Sequence, residues 1–315
     1  MKEYGHDAKT HHRLKFAAID IGSNAARLLL TNVYFDNGHP IFKKVGLYRI
    51  PLPLGDDVYT LGKLSDKKIE KLHHTIAAFS HLINVFTPIS TIACGTAAMR
   101  EASNGLAVAE MISTATGIPI KVIDGTTESK IIYDTHMLSS FPKETNYLYI
   151  DVGGGSTEVS HFSGKIPTHS HSFRIGTLRL INNWVEPEEW DQLKAFIKSA
   201  IVPGKNTIAI GTGGNISKAL SLTGIKNAQK PVPISKLDEL LVRLKKMSIK
   251  DRIIQLSLKP DRAEVIVPAL DVYIKCMKWA KIKRIYIPKI GLSDGLIQHL
   301  FREHVRTHDI PFETQ

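Results

Sequence analysis

One short pattern occurs twice in this chain, and it restricts the fold more than any other feature. Ala18-Ile19-Asp20-Ile21-Gly22-Ser23 and Tyr149-Ile150-Asp151-Val152-Gly153-Gly154 share an apolar residue, Ile, Asp, an apolar residue and Gly. Each copy ends an apolar, β-prone run and precedes another, over 26–34 in the first case and 157–162 in the second, so each reads as a strand, a tight turn and a return strand. A device repeated once at long separation implies two related halves and not a short-period solenoid. The boundary falls near residue 126, giving one domain over 14–126 and a second over 127–315, with a last helix that can pack back on the first.

Strand and helix signals alternate through both halves, which is the pattern of an α/β chain. Ile69, Leu72, Ile76, Phe79, Ile83 and Phe86 recur at helical spacing, with Ser65 as N-cap and Pro88 beyond the end. Short buried strands are expected over 89–94 and 120–123, with a helix over 106–116 between them that stops at Gly117. Asp124-Gly125-Thr126-Thr127 forms a turn and cap, and Glu128 opens a helix running to about Leu138, where the helix dipole favours a carboxylate. Later helices over 187–201, 217–222, 235–247 and 262–279 surround strands over 207–210 and 284–287. Pro268 should kink the long helix or start a new one.

Composition narrows the class. Hydrophobic residues make up 43% and charged residues 23%, values of an ordinary globular chain that exclude a disordered or collagen-like one. Two cysteines, Cys94 and Cys276, are too few for a disulfide framework, so a reducing, cytoplasmic setting is expected. Residues 1–13 are polar and histidine-rich, and no stretch has the length of an apolar membrane span, so neither a signal peptide nor a membrane partner is expected. Charge is uneven. The net charge is +11, and thirteen Lys and Arg face four acidic residues between Val242 and Lys289, a bias that suits a polyanionic partner.

The two turns point to phosphate chemistry. Glycine lets several backbone N–H groups converge on one point and makes an anion cradle. A carboxylate at the strand end suits such a cradle when a Mg2+-like cation bridges it to the phosphate, so Asp20 and Asp151 are candidates to share one metal. Gly211-Thr212-Gly213-Gly214-Asn215 is a third glycine-rich turn, placed before a helix where a phosphate could sit. None of these turns fits a dinucleotide fingerprint or a Walker A loop, which argues against a dehydrogenase or a P-loop ATPase. Hydrolysis also needs a group to orient and deprotonate water, and Glu128 and Glu158 are the candidates. Alternation makes Glu158 either solvent-facing or an outer metal ligand. Arg27, Arg100 and Arg174 could meet phosphate oxygens with guanidinium forks. The histidines have no zinc-ligand spacing, and Cys94 reads as a buried small hydrophobe.

In order, Asp20 to Asn24 with Arg27, Gly95-Thr96-Ala97-Ala98-Met99-Arg100 leading to Asn104, Gly125-Thr126-Thr127-Glu128, and Asp151 to Glu158 resemble the motifs of the exopolyphosphatase and guanosine pentaphosphate phosphohydrolase (Ppx/GppA) family. Arg174 with Gly176, the Gly213-Gly214 turn and Asp261-Arg262-Ala263-Glu264 continue the series. The resemblance implies two ribonuclease-H-like domains of the actin, Hsp70 and sugar-kinase type, with a cleft between them. It implies Glu128 as general base, Asp151 and Glu158 as ligands of Mg2+, with Mn2+ as an alternative, and the glycine turns as the seat of terminal phosphates. The phosphate-binding set is then Gly22, Ser23, Asn24, Arg27, Thr96, Arg100, Gly153, Gly154, Gly155, Ser156, Gly213 and Gly214, with Asp20 a further metal candidate from the cradle argument.

Two departures stand out. Many relatives carry paired acids where this chain has Thr127-Glu128, and long relatives carry a C-terminal helical extension, so this chain resembles the short, two-domain form. The implied activity is release of orthophosphate from the end of inorganic polyphosphate, with guanosine pentaphosphate as the alternative substrate. A kinase of the same superfold and a catalytically weak sensor of guanosine penta- or tetraphosphate are the rivals. A homodimer stays open, and an RNA partner would rest on charge alone.

Overall fold

The computed structural model describes residues 13–133, 145–164, 166–201, 207–225, 230–288 and 290–308. The expected continuation of the Glu128 helix to Leu138 lies partly outside these residues, as do Lys289 and most of the polar N-terminal segment.

Two mixed sheets repeat one topology. In the first half, β1 (Leu14–Ile21) turns into antiparallel β2 (Ala25–Asp36), β3 (His39–Pro51) extends that edge, and β4 (Ser90–Gly95) and β5 (Ile120–Val122) add in parallel on the other side. The order is β3-β2-β1-β4-β5. In the second half, β6 (Asn146–Val152), β7 (Thr157–Ser163) and β8 (Ile166–Phe173) form the antiparallel part, and β9 (Thr207–Thr212) and β11 (Arg284–Tyr286) the parallel part, with β10 (Val232–Pro233) at the margin. The order is β10-β11-β9-β6-β7-β8. The hairpin followed by a parallel strand on its other flank occurs in both, as the duplicated turn requires.

Helices cover both faces. In the first half these are α1 (Leu54–Leu61), α2 (Asp66–Phe86), α3 (Ala97–Glu101) and α4 (Gly105–Thr116), and α5 (Gly125–Tyr133) follows β5. The second half carries α6 (Thr177–Ile181), α7 (Pro187–Ala200), α8 (Gly214–Leu222), α9 (Ile234–Lys245), α10 (Ile249–Leu256), α11 (Pro260–Trp279) and α12 (Leu292–Thr307). Ser65 caps α2 by accepting from Lys68 N, and Thr87 ends it in a left-handed conformation. Helix α11 is continuous through Pro268, so the proline does not start a new helix. It is buried along most of its length, and that packing outweighs the lost backbone bond.

Three apolar clusters hold the layers together. One lies under α1, α2 and α4 against the first sheet, and one between the second sheet and α7 to α11. The third joins the remaining faces of both sheets: Phe16, Ala18 and Cys94 from one, Tyr147, Tyr149 and Ile210 from the other, with Leu296 and Phe301 of α12 among them. Helix α12 thus packs on β1, β2, β4 and α5. Gly295 makes the α5 contact possible, since a Cβ there would run into the backbone of Ile131. Among the described residues, no helix is long and apolar enough to cross a membrane.

Candidate active site

Both Asp-bearing turns close alike. Gly22 N donates to Ala25 O at 3.1 Å, and Gly153 N donates to Ser156 O at 2.9 Å. The ladders place Asp20 opposite Arg27 and Asp151 opposite Glu158, and directly opposed residues of an antiparallel pair share one face of the sheet. The halves therefore carry the same Asp with opposite charges across from it. Arg27 Nη1 donates to Asp20 Oδ2 at 2.6 Å. This alters the expectation for Asp20, whose charge is met by an arginine within its own hairpin, and it leaves the acid-rich pole with Asp151 and Glu158.

The two turns meet. A methyl group on Gly154 would stand 3.0 Å from Ser23 Cβ and 3.5 Å from Asn24 Cβ. Ser23 and Gly154 hold equivalent places in the duplicated pattern, so only one of them has room for a side chain. Beside the contact lies a cavity of about 670 Å3. Its wall includes Asp20, Gly22, Ser23, Asn24, Arg27 and Thr96 from the first half, Asp151, Gly153, Gly154, Gly155, Ser156, Glu158, Gly213 and Gly214 from the second, and Glu128. Gly213 has φ +103, and a Cβ there would come within 2.8 Å of Asp151 Oδ1, so the third turn closes directly on that carboxylate.

Arg100 is the exception among the expected site residues. Its Nη1 donates to Ile123 O at 2.8 Å and stands 3.8 Å from Glu128 Oε2, so it backs Glu128 and does not line the cavity. Arg174 is also elsewhere: its exposed guanidinium pairs with Glu101 at 3.3 Å. All three hydroxyls of the phosphate-binding set already have protein partners, Thr96 Oγ1 donating to Ile21 O at 3.4 Å. Ser156 Oγ donates to Glu158 Oε1 at 2.6 Å, and Ser23 Oγ lies 2.8 Å from Tyr59 OH.

The carboxylates are crowded. Glu158 is 3% exposed, which excludes the solvent-facing alternative. It also accepts from Ser172 Oγ at 2.9 Å, and burial, then Asp151, push its pKa up to about 7. Burial raises Asp151 as well, with the Thr212 hydroxyl and Arg27 opposing. Glu128 is raised well above the usual carboxylate range by burial first and by Glu158, Asp20 and Asp151 next, while Arg100 pulls the other way. Glu128 Oε2 is buried without a hydrogen-bond partner. Thr127 serves the helix start: its N and Oγ1 donate to the two Asp124 oxygens at 2.7 and 2.8 Å.

Beside these carboxylates the cavity wall carries cations that the sequence reading did not assign. Lys44, Arg49, Lys218 and Arg262 line the same cavity. Arg49 Nη2 pairs with Asp261 at 2.5 Å, but its Nε and Nη1 are buried with no hydrogen-bond partner. Burial, then Arg49, push the Arg262 pKa down. Arg262 belongs to a motif of the resemblance and was in that sense visible. Arg49 and Lys44 lie on edge strand β3, whose mixed pattern carries no signal. Among the described residues of the basic stretch from Val242 onward, Arg262 is the cation at the cavity wall.

Among the described residues, no three His, Cys, Asp or Glu side chains stand close enough to enclose an ion by themselves. Mg2+ commonly takes one or two carboxylates and completes its shell with water and phosphate oxygens. The opposed Asp151 and Glu158 supply donors of that hardness, and their burial leaves a charge deficit that a cation would relieve. The donor set therefore fits such an ion.

A model of the Ppx/GppA phosphatase family matches residues 36–304. Exopolyphosphatase 1 of Mycobacterium leprae is 24% identical over 303 residues, which cover 90% of this chain and 88% of the relative. The guanosine-5'-triphosphate,3'-diphosphate pyrophosphatase of Aeromonas hydrophila is 24% identical over 310 residues, covering 92% of this chain and 60% of the relative. Among solved structures, an exopolyphosphatase from Cytophaga hutchinsonii matches with a TM-score of 0.77 at 21% identity, over 92% of this chain and 98% of the other. The Ppx/GppA family member of Aquifex aeolicus matches with a TM-score of 0.74 at 22% identity, over 92% and 99%. The fold is accordingly the two-domain, actin-like α/β architecture that the family resemblance implied.

Proposed function

This chain belongs to the Ppx/GppA phosphatase family, and from that premise we propose that it is an exopolyphosphatase, releasing orthophosphate from the end of inorganic polyphosphate. The observation that carries the reading is one cavity lined both by the mutually interacting carboxylates Asp151, Glu158 and Glu128 and by the neighbouring guanidinium groups Arg27, Arg49 and Arg262. A phosphate chain needs both. Its terminal phosphorus must be approached by water beside a base, while its negative charge must be met by guanidinium groups and turn N–H groups.

Glu128, which lines the cavity, takes the proton of the attacking water. Burial and neighbouring carboxylates raise its proton affinity, as a general base requires. The bond from the terminal phosphorus to its bridging oxygen breaks, and the shortened chain keeps that oxygen. Gly22, Gly153 and Gly154 hold the terminal phosphate, and Arg27, Arg49 and Arg262 meet the phosphates behind it. Asp151 and Glu158 would hold Mg2+, which supplies charge neutralisation at the phosphoryl oxygens.

Guanosine pentaphosphate is the second reading. Asn215, Ser217, Lys218 and Ser221 of α8 turn a polar face into the cavity, and hydroxyl and amide groups there could meet a nucleoside. The test is phosphate release measured side by side on long polyphosphate, short polyphosphate and guanosine pentaphosphate with Mg2+ and no phosphoryl acceptor. Faster release from polyphosphate is expected. No release from any of the three would overturn the hydrolase assignment.

A further inference from the structure

Tyr59 and Arg179 do not line the cavity, yet they tie its two turns together. Tyr59 OH lies 2.8 Å from Ser23 Oγ in the first turn. A Cβ on Gly155 of the second turn would fall on the same phenol oxygen, so the phenol touches both turns, and the bare Gly155 makes room for it. The Arg179 guanidinium stacks 3.9 Å from the centre of the Tyr59 ring. Its Nε donates to Gly155 O at 2.8 Å, and its Nη2 pairs with Glu101 of α3, so it too joins the halves.

Either oxygen of the Tyr59–Ser23 pair can donate, and the Arg179 guanidinium stacked on the ring favours the phenol as donor. Among the described residues, the phenol has Ser23 Oγ as its hydrogen-bond partner. Burial pushes its pKa up to about 12, so it keeps its proton and can donate. The stacked guanidinium draws density from the ring and strengthens that donation, and chained hydrogen bonds polarise one another. Ser23 Oγ then accepts from the phenol and has its own proton left to give, at the wall of the cavity.

We propose that Tyr59, polarised by Arg179, is a positioning residue that donates to Ser23 Oγ and thereby aims the Ser23 proton at a phosphate oxygen in the cavity. The inference rests on reading this cavity as a phosphate site. It gives the turn a neutral donor whose contribution grows as charge builds on the phosphoryl oxygens, which favours the transition state over the bound substrate.

The test is a double-mutant cycle with Tyr59→Phe, Ser23→Ala and the pair together, measured as kcat and KM for phosphate release from short polyphosphate. Each single variant should lower kcat about tenfold, the worth of one hydrogen bond, and leave KM within about twofold. The double variant should be no slower than Ser23→Ala, because Tyr59 acts through Ser23. Losses that multiply in the double variant, or a Tyr59→Phe enzyme with wild-type kcat, would overturn the proposal. Should the wild-type protein release no phosphate, the functional reading has failed by itself. The same cycle read by calorimetric binding of orthovanadate, whose five-coordinate adducts mimic the phosphoryl group in transfer, then decides the positioning role, and additive losses or no binding at all would dismiss it.

Discussion

Gly154→Ala asks whether the two turns must touch for the site to work. Gly154 is not among the residues with positive φ, so an alanine there carries no backbone strain and its cost comes from space alone. The new Cβ would lie 3.0 Å from Ser23 Cβ, 3.4 Å from Leu178 Cδ1 and 3.5 Å from Asn24 Cβ. Carbon atoms settle at about 3.5 to 4.0 Å, so the Ser23 contact demands about 0.5 to 1 Å of extra separation. Both carbons are bonded directly to the main chain, and no flexible side-chain end can absorb the shift. A misplacement of about 1 Å costs about 10²-fold in rate, so kcat/KM on polyphosphate should fall by about 10- to 100-fold. Overpacking should cost about 1 to 3 kcal/mol of stability, and a melting curve verifies that the variant is folded at the assay temperature. Gly22→Ala is the matched control for stability, since its nearest neighbour, Ala25 O, would be 3.4 Å away in ordinary contact. A folded Gly154→Ala protein with kcat/KM within about threefold of wild type would refute the idea that turn separation controls the rate.

The other expectations concern the carboxylates and the basic segment. Glu128→Gln should lower kcat by about 10²- to 10⁴-fold with little change in KM, and unchanged turnover would remove Glu128 from the mechanism. Without a divalent cation, stability should fall as pH rises, because a carboxyl raised in the folded state contributes fully below its unfolded pKa and loses that contribution as pH climbs through the folded value. For Glu158 that window runs from the ordinary 4.5 to about 7, with Glu128 and Asp151 shifted in the same direction. Mg2+ should therefore raise the melting temperature most at the upper end of the window, and a pH-independent increment would contradict this. Arg252 donates to Leu244 O through Nε and Nη2 and to Ala263 O through Nη1. Arg252→Ala should thus destabilise the fold by about 2 to 4 kcal/mol in urea titrations while sparing KM, and a change below about 0.5 kcal/mol would show those bonds to be dispensable.

Much of the scaffold was legible because its signals are local. The Asp-x-Gly turns, the Ser65 cap and the apolar spacing of α2 each depend on residues within a few positions of one another. Helices α1, α3, α6 and α10 were not read, since at 8, 5, 5 and 8 residues they are too short for a periodic signal. Two of these short helices carry Tyr59 and Arg179, the residues that join the turns. The sequence reading named Arg174 and passed over Arg179. The difference is burial: Arg179 is 5% exposed against Glu101 and Gly155, while Arg174 sits in solvent.

By itself, then, the order of residues determined that this chain would form two related α/β halves, each offering a carboxylate beside a glycine turn. Backbone preferences at Asp, Gly and β-branched residues act over a few bonds and need no partner. Tertiary structure alone decided how the charges sort. It matched Asp20 to Arg27 and Asp151 to Glu158, brought Arg49 from an edge strand and Arg262 from a helix start to one wall, and set Ser23 against Gly154. Electrostatic fit across a cavity depends on distances between elements remote in the chain, and those distances exist only once the cores beneath both sheets and around α12 have packed.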